Sequence, residues 1–142
     1  MNKIKSGFLL LAALFISNFL SAQTIEEGKK FLYYERYKSA KAAFEKLVNA
    51  DPNNMDAVYW LGQAMIAPEE GRDIAGAKAL YQKALQANSA NPLLLAGMGH
   101  LELLEGKTQD ARNSFETAIS LSQGKNASVS EDIGLANVMA KD

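Results

Sequence analysis

The chain has 142 residues, with 15 basic and 16 acidic side chains, one histidine and no cysteine. That length suits one core or one short array, and the near balance of charge gives no clustered basic face for nucleic acid. The missing thiol excludes disulfides, thiolate metal sites, a cysteine nucleophile and a lipid-modified cysteine anchor, so packing alone must hold the fold.

Residues 1–22 are predicted to be a secretory signal peptide. Lys3 and Lys5 form a basic start, Phe8 to Ile16 is an unbroken apolar run, and Leu20-Ser21-Ala22 offers a small-residue cleavage site that leaves Gln23 as the new terminus. The rival reading is a retained membrane anchor. A span needs roughly 20 apolar residues, and Gly7, Ser17 and Asn18 bracket a shorter run. Cleavage removes two lysines, leaving 13 basic against 16 acidic side chains, a net of −3 and no stable membrane span.

Helix then follows helix. Thr24-Ile25-Glu26-Glu27 has the capping-box form, in which the hydroxyl accepts from the third helical N–H. This first helix is predicted to run through Gly28 and Phe31 to about Glu35. A turn at Arg36–Lys38 leads into the helix holding Ala40 to Val48, which Asp51-Pro52-Asn53-Asn54 stops because proline cannot continue the ladder. Asn54 caps a third helix through Val58, Trp60, Leu61 and Gly62 to about Ile66. The breakers in Ala67-Pro68-Glu69-Glu70-Gly71-Arg72-Asp73 predict a longer loop. Asn91-Pro92 reads as cap plus first-turn proline, and Gly106 closes that helix in the left-handed conformation. Ser128-Val129-Ser130-Glu131 is another capping box, opening a last helix to Met139.

One buried stripe returns three times at offsets 0, +4, +7 and +8, the spacing of one helical face. Its members are Ala40, Phe44, Leu47 and Val48, then Ala77, Tyr81, Ala84 and Leu85, then Ala111, Phe115, Ala118 and Ile119. The leading alanines are 37 and 34 residues apart. Gly28, Gly62, Gly99 and Gly134 precede or extend the series at spacings of 34, 37 and 35. A period near 34 with alternating helices is the signature of stacked helical hairpins. Gly62 to Ala77 spans 15 residues where the other two glycine–alanine pairs span 12, so three residues are added in the second hairpin turn. The last helix carries apolar residues on two sides, Val129, Ile133, Ala136 and Ala140 on one and Leu135, Val138 and Met139 on the other. A terminal helix should be polar outward, so further repeats or a homodimer is expected to cover it.

These units resemble tetratricopeptide repeats. The residues that carry the resemblance are Leu61-Gly62 after Trp60, Met98-Gly99, the alanines at 40, 77 and 111, the aromatics at 44, 81 and 115, Ala84, Ala118 and Pro52. The departures are Glu27 where the family usually has leucine, the longer second turn, and Asn88-Ser89 where Asp-Pro is common. The glycines and alanines are expected to be small where the helices of a hairpin meet, with the aromatics filling the gap to the next hairpin. The resemblance implies an all-α fold, a right-handed superhelix (α-solenoid) of about three hairpins plus one further helix. Its repeats would lie at about 21–54, 55–91 and 92–125, with a partial fourth at 126–142, in a domain covering 23–142.

In this family the first helices of successive hairpins line a concave groove that binds peptides or partner proteins. By hairpin position the groove here would include Lys29, Leu32, Tyr33, Tyr59, Gln63, Ile66, Leu93, His100 and Leu103, with Ile25, Ala96 and Leu104 beside them. One branch of the family clamps a terminal carboxylate with basic and amide side chains. The matching positions are Ile25, Lys29, Trp60, Leu93 and Gly97, of which only Lys29 is basic, so that pattern fails here.

His100 has Glu102 and Glu105 nearby, but residues two and five apart do not share a helix face with it, and neither a metal site nor a general base is expected. Glu69 to Asp73 reads as a solvated turn, with partner docking as the alternative. Tyr33, Tyr37 and Tyr59 read as packing rather than a stacking platform, Trp60 beside Leu61 fits either role, and the Asn126-Ala127-Ser128 sequon reads as chance. With no phosphate loop, nucleophile elbow or paired-carboxylate cleft, neither enzyme activity nor a cofactor is expected. The leading expectation is an exported protein–protein interaction scaffold, in a periplasm or on a cell surface, holding a protein or peptide partner within an envelope or secretion complex. The alternative is a helper subunit that captures a secreted peptide or glycan through loop sites, which the 67–73 insertion favours.

Overall fold

Side chains that satisfy the free N–H groups of a first turn decide where these helices begin. Thr24 Oγ1 accepts from the Glu27 N–H at 3.2 Å, Asn54 Oδ1 from Ala57 at 3.0 Å, Asp73 Oδ1 from Gly76 at 2.8 Å and Asn91 Oδ1 from Leu94 at 3.0 Å. The structure, a computed structural model, describes residues 24–122 and Val129. Between residues 24 and 122 it consists of six helices and no strand: α1 Ile25–Tyr33, α2 Tyr37–Ala50, α3 Met55–Ile66, α4 Ile74–Ala87, α5 Pro92–Leu104 and α6 Thr108–Ser122. This is an all-α helical repeat solenoid. The expected signal segment, the sequon and the last helix lie outside the described residues, apart from Val129, which is helical and fully buried.

The boundaries differ from expectation at the first hairpin. α1 ends at Tyr33 rather than about Glu35, and α2 starts at Tyr37, inside the expected turn. The reason is a tight exit from α1, in which Glu35 takes φ +56°. The Glu35 N–H then donates to the Leu32 carbonyl at 2.9 Å and the Arg36 N–H to the Phe31 carbonyl at 2.8 Å, a pair of bonds that ends a helix within two residues.

Helices pack as α1 on α2, α3 on α4 and α5 on α6, with α2 on α3 and α4 on α5 joining successive hairpins. Among the described residues α1 also meets α3 and α3 meets α5, whereas α2 and α4, or α4 and α6, do not. An array whose odd helices touch while its even helices splay apart curves toward the odd side. The concave side is therefore the side of α1, α3 and α5.

Glycine and aromatic close each hairpin. A Cβ at Gly28 would overlap the Phe44 ring, one at Gly62 the Tyr81 ring, and one at Gly99 the Phe115 ring. The aromatics were expected to fill the gap to the next hairpin; their first contact is instead with the glycine of their own. Two of them do both. Tyr81 also lies against Gly97 of α5, and Phe44 stacks on Trp60 of α3 with ring centres 6.4 Å apart. Ala40, Ala77 and Ala111 are fully buried at the helix contacts. The stripe is less uniform than its spacing suggests: Leu47, Val48, Ala84 and Leu85 are half-buried and Ile119 is 46% exposed. Ile119 sits on α6, which among the described helices meets only α5.

Candidate functional site

The expected groove residues divide into two groups. Tyr59, Gln63, Ile66, Leu93 and His100 are between 2% and 8% exposed, so they form the interior of the array rather than a surface a partner could reach. Lys29, Leu32 and Leu103 are half-buried, and Tyr33 is 81% exposed. The accessible members are thus concentrated on α1, and Leu103 at the far end of α5 packs instead against Ala111 and Phe115 of α6.

The buried group is joined by a directional string of polar contacts. The Tyr81 hydroxyl donates to the Tyr59 carbonyl at 2.7 Å, and Gln63 Nε2 donates to Tyr81 Oη at 3.1 Å. That fixes Gln63 Oε1 as the acceptor facing His100 Nδ1 at 3.1 Å, so Nδ1 carries the imidazole proton. Nε2 is then a bare acceptor, buried without a partner among the described residues. Burial, and secondarily the Arg72 guanidinium, lower the His100 pKa to about 4, because a second proton would place a charge where water cannot solvate it. The string ties α3, α4 and α5 together and keeps His100 neutral.

The neighbouring carboxylates do not turn this histidine into a reaction centre. Glu102 accepts from the Ser114 hydroxyl at 2.7 Å, across the third hairpin. Glu105 is held by Lys107 at 2.7 Å and by Lys78 of α4 at 2.9 Å, and those hydrogen bonds lower its pKa. Among the described residues no group of three or more His, Asp or Glu side chains could hold a metal ion.

On α1 the Lys29 ammonium donates to Glu26 at 3.3 Å and lies 5.1 Å from the centre of the Trp60 ring. That ring bridges hairpins, edge-on to Tyr59 at 5.1 Å and stacked on Phe44. Trp60 is therefore packing, one of the two roles that its place beside Leu61 leaves open. Tyr33 and Tyr34 meet edge-to-face at 5.1 Å and are 81% and 60% exposed. They form the largest exposed aromatic surface among the described residues, and the expectation that Tyr33 serves as packing does not hold.

Successive helical hairpins, packed one on the next, are the arrangement that the sequence period predicts. Residues 35–54, which take in all of α2, match the family model described as Tetratricopeptide repeat. This match supports reading the array as tetratricopeptide repeats. Such arrays are protein–protein interaction scaffolds in general and are not enzymes as a rule. Within this one no helix of the described residues is long and apolar enough to cross a membrane. Two features of this tetratricopeptide array have no counterpart in its sequence period. One is the Tyr59–Tyr81–Gln63–His100 string, whose members are 18 to 37 residues apart along the bonds that link them to Gln63. The other is the Asp73 cap that starts α4 directly after the inserted loop.

Proposed function

We propose that this tetratricopeptide-repeat protein is an exported scaffold that binds a peptide or partner protein on its concave side, within an envelope or secretion complex of a periplasm or cell surface. The observation that carries the reading is the contact of α1 with α3 and of α3 with α5, unmatched on the even side, which makes one continuous concave face. On α1, Tyr33 and Lys29 offer aromatic surface with a cation. Aromatic anchors of this kind dominate binding energy at protein interfaces. Export rests on the basic, apolar and small-residue order of residues 1–22.

Two measurements test the two halves of the reading. Mass spectrometry of the protein recovered from the envelope should find a chain beginning at Gln23, and a chain retaining Met1 would reject export. A photo-crosslinking residue placed at Tyr33 should trap a discrete protein partner there, whereas one at Lys83, an exposed position on α4, should not. Adducts from position 83 alone would move the interface to the convex side.

A further inference from the structure

The added residues of the second hairpin build one wall of a cleft of about 290 Å³ between α2, the end of α3 and the inserted loop. Lys38 and Lys41 of α2 stand on one side, Ala64 and Met65 of α3 contribute apolar surface, and Pro68 and Glu70 of the loop stand on the other. The loop is held in place. Arg72 Nε donates to the Pro68 carbonyl at 3.0 Å, the Asp73 N–H donates to the Met65 carbonyl at 3.0 Å, and Gly71 takes φ +74°, which glycine adopts without strain. Because the Arg72 guanidinium is bonded back into the loop and Asp73 caps α4, Glu70 is the carboxylate left to meet a ligand. Among the described residues Lys41 has a single ion pair, a 3.8 Å contact with exposed Glu45, and such a pair contributes little. The cleft is therefore a preformed apolar patch with cations on one wall and an anion on the other, the composition of a binding site. A second depression of about 380 Å³, bounded by Glu35 to Ser39, shares Tyr37 and Lys38 with it and prolongs it along the turn of the first hairpin.

We propose that this cleft is a second docking site, independent of the concave face, for an extended polypeptide segment with an acidic and a basic side chain at adjacent positions. Charge complementarity selects this occupant. Successive side chains of an extended chain point to opposite sides, so the acid meets Lys38 and Lys41 while the base meets Glu70 and the backbone crosses Met65. A neutral sugar can hydrogen-bond to these side chains but has no charge to pair with either wall.

Nitrogen-15 spectra of the labelled full chain, titrated with acetyl-Ala-Glu-Lys-Ala-amide, test this. Saturable shifts confined to the amides of residues 37–41, 64–65 and 69–73 are expected. Raising the salt to 0.5 M should weaken binding severalfold, since exposed charge contacts are screened beyond about 4 Å at such ionic strength. The exposed substitution Lys38→Glu should weaken it at least tenfold with helix content unchanged, and the peptide with two glutamates should regain affinity in Glu70→Lys. Shifts that are absent, that persist undiminished in folded Lys38→Glu, or that follow cellobiose instead of the peptide would overturn the proposal.

Discussion

The phenol ring of Tyr81 lies directly against the backbone of Gly62, with no room between them for a methyl group. It touches Gly97 on its other flank, so one side chain of α4 closes its own hairpin and seats the next. Gly62→Ala gains about 1 kcal/mol of helix propensity and incurs overpacking of about 1–3 kcal/mol or more. Because the ring is pinned from two sides, overpacking is expected to win. Urea unfolding should show a lower midpoint for Gly62→Ala, and an unchanged or higher midpoint would mean that α3 and α4 can separate freely.

The Tyr81 hydroxyl gives a second prediction. The equivalent rings, Phe44 and Phe115, lack it, so Tyr81→Phe fits the same space. The change leaves the Gln63 amide without its acceptor and removes a donor from the Tyr59 carbonyl, in a region where water cannot replace either. A buried polar group stranded in this way costs about 1–3 kcal/mol. Tyr81→Phe should lower the thermal midpoint, and the loss should shrink in a Gln63→Leu background, where no amide is stranded. Equal losses in both backgrounds would show that the two groups are not coupled.

The hairpins are legible in the sequence because each depends on small and large residues at fixed offsets. Gly28, Gly62 and Gly99 repeat at the period of Phe44, Tyr81 and Phe115, and the caps at Thr24, Asn54 and Asn91 are local signals. The accessible face is not legible in the same way. α3 touches α1, α2, α4 and α5, so it is buried on nearly every side and its periodicity cannot separate a groove face from a packing face. Tyr59, Gln63 and Ile66 consequently read as lining although they are interior. The Gln63–His100 contact joins residues 37 apart, which no local pattern encodes. Glu35 in a left-handed conformation is equally silent, since glutamate carries no preference for it.

His100 makes stability depend on pH. Its folded pKa of about 4 lies below the ordinary 6.5, so between those values the unfolded chain binds a proton that the folded chain refuses. Stability is therefore complete above about pH 6.5 and falls as pH drops toward about 4, by an amount that could approach about 3 kcal/mol at 1.36 kcal/mol per pH unit. Carboxylates contribute their own loss at the acid end, so the comparison is with His100→Gln, which can still donate to Gln63. The difference in urea midpoint between pH 7.5 and pH 5 should be larger in the parent than in this variant. Parallel pH curves would show that His100 is solvated enough to protonate in place.

Glu35 and Gly106 occupy the same position at the ends of α1 and α5. Each follows its helix by two residues, takes positive φ (+56° and +76°), and donates to the carbonyl three residues back. The next residue, Arg36 or Lys107, donates to the carbonyl five back at 2.8 Å in both turns. Only the side chain differs. A Cβ in this conformation costs about 1–2 kcal/mol, and glycine surrenders part of that gain through its greater freedom in the unfolded chain. Glu35→Gly should therefore stabilise the protein by about 0.5–1 kcal/mol, and Gly106→Glu should destabilise it by a similar amount, both read as shifts in the urea midpoint at constant slope. Glu35 is exposed and makes no ion pair among the described residues, so no lost contact offsets the gain. A Glu35→Gly variant no more stable than its parent would indicate that the turn relaxes out of the left-handed region in solution.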